Sequence, residues 1–439
     1  MDYSQAVAYL DSFINYEQIP GVAYAAPGYS LSHVEELLSR MGAPQLAART
    51  VHIAGTKGKG SVAVMTAGVL SASGYRTGSY TSPHFHDLRE RICIDGSLIS
   101  EERFASTMAG IRPFIEAMRN EPAVRQFTYF EVLTVLAFAY FRQEQVGFQV
   151  LEVGLGGRLD ATNVARPDVC VITPISLDHM QILGSTLEEI AREKAGIIKP
   201  GCRVVLCPQP PAAASVLIDI CRERKAEVVQ LGKYVTWRKT GGDLLHQSLV
   251  IEGIRNTYQV DIPLLGDYQL ENAAASVAAL EILASAGFAI SGADIARGLA
   301  DVRWPGRFQV LRRDPMVLVD GAHNVASMRR LVDNIRTYFS DRQVLLVFGT
   351  SNDKDVPGIV AELAALSPRV VVTRSVQSRA ALPASLAAQF SKHGVGTEIS
   401  ESVPQALSRA LSMAEEQDLI CVTGSLFVVA EALDYFSMS

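Results

Sequence analysis

The chain is predicted to be an α/β protein: a P-loop-type, mostly parallel sheet domain with a small antiparallel addition, followed by a smaller C-terminal α/β (Rossmann-like) domain. Three observations carry this. Short Val/Ile/Leu-rich runs alternate with amphipathic stretches along the 439 residues, the rhythm of parallel strands covered by helices on both faces. One run, Val51-His52-Ile53-Ala54, breaks into the glycine-rich turn Gly55-Thr56-Lys57-Gly58-Lys59-Gly60-Ser61. The rhythm stops once, at Trp304-Pro305-Gly306, where proline and glycine cannot extend a helix, and then resumes. The expected domains are 1–298 and 307–439, joined by a hinge at 299–306, about which the domains would close.

In chain order, 51–54 reads as the first strand. The apolar spacing of Val62, Met65, Val69 and Leu70 then reads as a helix ended by Gly74. A strand over 75–80 and helices over 101–118 and 128–142 precede strands over 148–153, 169–173 and 204–207. The stretch 235–261 alternates polar and apolar residues and reads as the antiparallel addition. Beyond the hinge, strands are expected over 316–319, 344–348, 370–373 and 419–422. Ligands in such sheets bind beyond the carboxyl ends of strands, so the site is expected there, between the domains.

Composition narrows the function. With 48% hydrophobic and 20% charged residues the chain is a folded globular protein, and a formal charge of −6 offers no electrostatic footprint for nucleic acid or an anionic membrane. No apolar stretch reaches the ~20 residues that cross a bilayer, and Met1-Asp2-Tyr3-Ser4 lacks the basic start of a signal peptide. A cytoplasmic monomer with small-molecule partners is expected. Cys93, Cys170, Cys202, Cys207, Cys221 and Cys421 form no C-x-x-C pair and read as buried free thiols.

The turn after the first strand suits a nucleoside triphosphate. Glycines let backbone N–H groups converge on phosphate, the following helix adds its dipole, Lys59 adds a charge and Ser61 can ligate Mg²⁺. The alternative is a turn that merely joins strand to helix. The spacing departs from G-x-x-x-x-G-K-[ST], since Ile53 replaces the first glycine and Gly60 separates lysine from serine. Glu152 closes a buried strand, where a carboxylate is costly unless paired or metal-bound, so it is either a Mg²⁺ ligand or half of an ion pair. His179, after the next strand, is a second candidate ligand or a structural histidine.

Together with Thr81-Ser82-Pro83-His84, the run Glu152 to Asn163, Leu177-Asp178-His179, Glu193-Lys194-Ala195-Gly196-Ile197 and Asp320-Gly321-Ala322-His323-Asn324, the cradle resembles the folylpolyglutamate synthase and dihydrofolate synthase branch of the Mur ligase superfamily. The resemblance spans about residues 1 to 430. It implies an ATP-binding central-type domain, a C-terminal glutamate ligase domain, and ATP-dependent ligation of L-glutamate to reduced folates and to dihydropteroate through an acyl phosphate. By the same resemblance, Gly55, Thr56, Lys57, Gly58, Lys59, Gly60, Ser61, Gln269, Asn272, Arg307, Asp320 and His323 contact ATP. Lys59, Lys194 and His323 are the catalytic set. Ser61, Ser82, Glu152, His179 and Lys194 serve two Mg²⁺ sites, Lys194 as a carbamate, and the family's pattern also admits K⁺. Thr128, Phe130 and Asp160 match pterin contacts, which favour a bifunctional enzyme over a strict polyglutamylase. Tyr268 departs from the family's commoner histidine, and Asn272 could instead cap the following helix. Asp353, Lys354, Asp355 and Ser425 are glutamate-site candidates by position. A peptidoglycan-type Mur ligase and an ATP-switched regulator are the rival readings.

Overall fold

The computed structural model describes residues 1–17, 30–121 and 126–437. It divides into two compact units, the first formed by 1–241, 248–262 and 268–302, the second by 242–247, 263–267 and 303–439.

The first unit is built on an eight-stranded sheet of β1 (Arg49–Ala54), β2 (Thr77–Tyr80), β3 (Ile92–Ile94), β4 (Ser97–Leu98), β5 (Phe148–Glu152), β6 (Val169–Ile172), β7 (Arg203–Leu206) and β8 (Glu227–Gln230), in the order β4-β3-β2-β5-β1-β6-β7-β8. Antiparallel β3 and β4 form one edge, and the other pairings are parallel. Chain order and sheet order part company around β1, which lies between β5 and β6. The register sets Ile53 beside Glu152 and Ala54 beside Ile172, so three strand ends meet where the glycine-rich turn begins. The helix Tyr129–Gln143, buried throughout its first thirteen residues, packs one face of the sheet. A three-stranded sheet of β9 (Thr236–Gly242), β10 (Gln247–Glu252) and β11 (Thr257–Ile262) follows. Its tight turns, closed by Asp243 N–H to His246 and Gly253 N–H to Asn256, permit only antiparallel neighbours.

The second unit carries β12 (Gln309–Arg313), β13 (Met316–Asp320), β14 (Gln343–Phe348), β15 (Arg369–Val372), β16 (Thr397–Ile399) and β17 (Asp418–Thr423) in the order β12-β13-β17-β14-β15-β16, parallel except for β12. The strands absent from the apolar runs of the sequence are β3, β4, β8, β12 and β16. β4, β8, β12 and β16 are the outermost strands of the two large sheets, where incomplete coverage removes the need for a continuous apolar run, and β3 is a three-residue strand next to the edge. No described helix is long and apolar enough to cross a membrane.

Candidate functional site

Close packing dictates the glycines of the cradle. At Gly55, with φ of +147°, a Cβ would lie 1.8 Å from Thr173 Oγ1. Gly58 precedes the helix Lys59–Ala72 with φ of +90°, and a Cβ there would lie 2.4 Å from Asn272 Oδ1. No side chain caps this helix, which leaves first-turn N–H groups for an anion. Thr56 and Lys57 N–H groups both donate to Pro174 O, at 3.0 and 3.3 Å, and the Thr56 hydroxyl donates to Ser176 O at 3.2 Å. The turn is thereby bound to the end of β6.

Charges converge on it. Lys59 Nζ stands 3.8 Å from Glu152 Oε1, and Glu152 Oε2 accepts from Ser82 N–H at 3.1 Å. Ser61 is buried at the start of the helix. Lys57 Nζ pairs with Asp178 Oδ2 at 3.3 Å, so its charge steadies the 176–179 loop. Lys194 is buried in the last turn of the helix Leu187–Ala195, and its ammonium donates to Gly55 O at 2.8 Å. Burial first, then the charge of Lys59, lowers its pKa to about 7; it is no surface lysine. It gets there because two glycines interlock. A Cβ on Gly157 would lie 2.7 Å from Glu193 O, and one on Gly196 2.3 Å from Arg158 Cα, while Arg158 N–H donates to Glu193 O at 2.7 Å. His179, left-handed with φ of +50°, is half exposed, its Nε2 3.8 Å from Asp178 Oδ1. Gly55, Thr56, Lys59, Gly154, Leu155, Asp178, His179 and Lys194 line one recess.

Asn272 lies inside the helix Asp267–Ser285 and is buried against Gly58; the alternative that it caps this helix is set aside. Its amide donates to Gln269 Oε1 at 2.8 Å, and Gln269 Nε2 is buried without a protein partner. The three pterin candidates do internal work. Thr128 caps the helix Tyr129–Gln143 in a reciprocal pair with Glu131, Phe130 packs its ring on Gly154, and Asp160 accepts from Leu155 and Thr162 N–H groups at 2.9 and 3.0 Å. Burial raises the Asp160 carboxyl despite these bonds.

In the second unit, Asp320 ends β13 and accepts from Phe308 N–H at 2.9 Å and Ala322 N–H at 2.8 Å; burial raises its pKa against the pull of Arg307. Arg307 lies close to Gly321. His323 Nδ1 is 2.8 Å from Gly321 O. A carbonyl only accepts, so Nδ1 carries the proton. Asp355 caps the helix Val356–Ala364, Lys354 pairs with Asp353 at 3.3 Å, and Ser425 Oγ accepts from Phe427 N–H. The sequence reading overlooked Thr173 and Pro174, though their place directly after a buried strand was a usable signal. It gave no role to His52 or to Thr162, although Thr162 lies in the quoted run from Glu152 to Asn163.

Comparison with known families now has a geometry to meet. Residues 53–280 match the Mur ligase middle domain and residues 306–426 the Mur ligase glutamate ligase domain. A dihydrofolate synthase/folylpolyglutamate synthase of Bacillus subtilis is 32% identical over 91% of this chain and 93% of its own. The chain belongs to the folylpolyglutamate synthase/dihydrofolate synthase branch of the Mur ligases. A probable bifunctional folylpolyglutamate synthase/dihydropteroate synthase of Halobacterium salinarum is 36% identical over 98% of this chain, which spans 51% of that relative's length; a Haloferax volcanii relative of the same description is spanned over 50%. Among solved structures, the Mycobacterium tuberculosis folylpolyglutamate synthase complexed with ADP superposes with a TM-score of 0.90 at 33% identity, covering 99% of this chain and 98% of that one. The E. coli FolC complex with DHPP and ADP gives 0.87 at 29% identity, covering 100% and 98%. The middle-domain match contains the cradle and Asn272, and the glutamate ligase match contains Arg307, Asp320, His323 and Ser425.

Proposed function

We propose that the chain uses ATP to join L-glutamate to the carboxylate of a reduced folate, and also to dihydropteroate. The observation that carries this is the cradle, with Lys59 and buried Lys194 lining one recess and Glu152 facing Lys59, in a chain whose relatives from Bacillus subtilis and Escherichia coli are named for both reactions. A carboxylate is a poor electrophile. Its oxygen attacks the γ-phosphorus, forming an acyl phosphate and releasing ADP. The glutamate amine then attacks the acyl carbon, the C–O bond to phosphate breaks, and the amine sheds a proton. No protein nucleophile is required, so alignment and charge neutralisation by Lys59, the helix N-terminus and backbone N–H groups carry the rate.

The residues fit Mg²⁺. The Ser61 and Ser82 hydroxyls and the Glu152 carboxylate are hard oxygen donors at or just beyond the carboxyl ends of β1, β2 and β5, and Glu152 is buried facing a lysine charge. No group of three His, Cys, Asp or Glu gathers among the described residues, which suits a cation completed by phosphate and water. Bound Mg²⁺ supplies charge neutralisation across the phosphates. Lys194 and His179 would serve a second ion with Glu152 once the Lys194 amine, neutral in part near pH 7, adds CO₂ and loses a proton to become a carbamate. Gln269, Asn272, Arg307, Asp320 and His323 are assigned to the nucleotide, and Asp353, Lys354, Asp355 and Ser425 to the amino acid. Thr128, Phe130 and Asp160 are assigned to the pterin side.

The test is phosphate release from ATP and Mg²⁺ with L-glutamate, offering dihydropteroate or a reduced folate monoglutamate. Turnover with both is expected. Turnover with folate alone would remove the dihydropteroate reaction, and turnover with neither would overturn the proposal.

A further inference from the structure

We propose that His52 and Thr162 are positioning residues for phosphoryl transfer, holding the Gly154–Leu155 wall of the recess through the carboxylate of Asp160. The inference rests on the function proposed above. Its basis is a buried chain of hydrogen bonds with one direction. The Thr162 hydroxyl has a single hydrogen, which goes to Asp160 Oδ1 at 2.5 Å. The contact of 2.8 Å between Thr162 Oγ1 and His52 Nε2 must then be filled by an N–H on the ring. That leaves His52 Nδ1 as a bare acceptor, and it is buried with no protein partner. An imidazole held with one nitrogen unsatisfied is a costly way to fill a core; a leucine would pack there at lower cost. What the ring supplies there is its Nε2 hydrogen to Thr162.

At the far end, Asp160 Oδ2 accepts from Leu155 N–H at 2.9 Å, while the Phe130 ring presses on Gly154 so closely that a Cβ there would lie 2.6 Å away. Gly154 and Leu155 line the recess with Lys59 and Lys194. His52 sits on β1, two residues before its end at the cradle. These bonds therefore tie the strand that carries the cradle to the segment that follows its neighbour β5. Through this loop Asp160 acts on the chemical step.

The experiment compares Thr162→Val, which keeps shape and removes the hydroxyl, with Thr162→Ser, which keeps the hydroxyl. Steady-state constants for ATP, glutamate and folate are normalised to the folded fraction. Thr162→Val should lower kcat about tenfold with each KM within about twofold, and Thr162→Ser should retain most of kcat. Equal behaviour of the two variants, an unchanged kcat, or a loss confined to KM for the folate would overturn the proposal. Nitrogen-15 NMR of the wild type reads the chain without catalysis and without a variant that folds: His52 is expected as the neutral Nε2–H tautomer, and an Nδ1–H or doubly protonated ring would refute it. Absence of wild-type turnover would sink the proposed function and leave the NMR result to decide the hydrogen-bond chain.

Discussion

Lys194→Met should remove a pH dependence from the stability of the first unit. Burial and the neighbouring Lys59 bring the Lys194 pKa from 10.5 to about 7. The folded state therefore disfavours the ammonium that the unfolded chain carries freely. Each pKa unit is worth about 1.4 kcal/mol, so the cost is complete, at about 4 to 5 kcal/mol, below pH ~7 and disappears as pH rises through ~10.5. Between pH ~7 and ~9, about 2 kcal/mol of it is relieved. Methionine fills similar space without a charge. It leaves Gly55 O without its donor, a penalty of about 1–3 kcal/mol that does not change with pH. Urea unfolding of both proteins at the two pH values, in CO₂-free buffer so that no carbamate forms, should show the wild type gaining about 2 kcal/mol on the variant. A difference between the two proteins that stays constant with pH would refute the reasoning.

Removing the cradle charge with Lys59→Ala should lower kcat for ATP-dependent ligation by about 10²–10³, the range for loss of one preorganised donor; a smaller loss in phosphate-release assays would move the phosphates elsewhere. Gly58→Ala puts a Cβ at φ of +90° and into Asn272, so it should cost about 1–3 kcal/mol in thermal unfolding and raise KM for ATP; a variant as stable as wild type would show that the turn relaxes freely. Glu152→Gln should shift the Mg²⁺ dependence of turnover to at least about tenfold higher concentration, and an unchanged Mg²⁺ titration would leave Glu152 as an ion-pair partner of Lys59.

The local parts of the molecule were legible in the chain. Strands covered on both faces must be continuous apolar runs, so β1, β5, β6, β14 and β17 announced themselves, whereas the half-exposed edge strand β12 did not. The cradle was legible for the same reason, because glycine, lysine and serine within a few residues of a strand end do their work through their own backbone and the next helix turn.

What the sequence determined by itself was thus the alternation of strand and helix, the two-part organisation and the glycine-rich turn after β1. Only the tertiary structure decided what each charged group is for. Lys57 is spent on Asp178, 121 residues away, and Lys194 is drawn against Gly55, 139 residues away. Asp160 is bonded to its own loop, and Asn272 fills the space beside Gly58 rather than capping a helix. The physical reason is that a group's protonation and its free hydrogen-bonding capacity depend on how much water the surrounding chain removes and which partners it brings within about 3 Å. Those neighbours come from segments with no proximity in sequence.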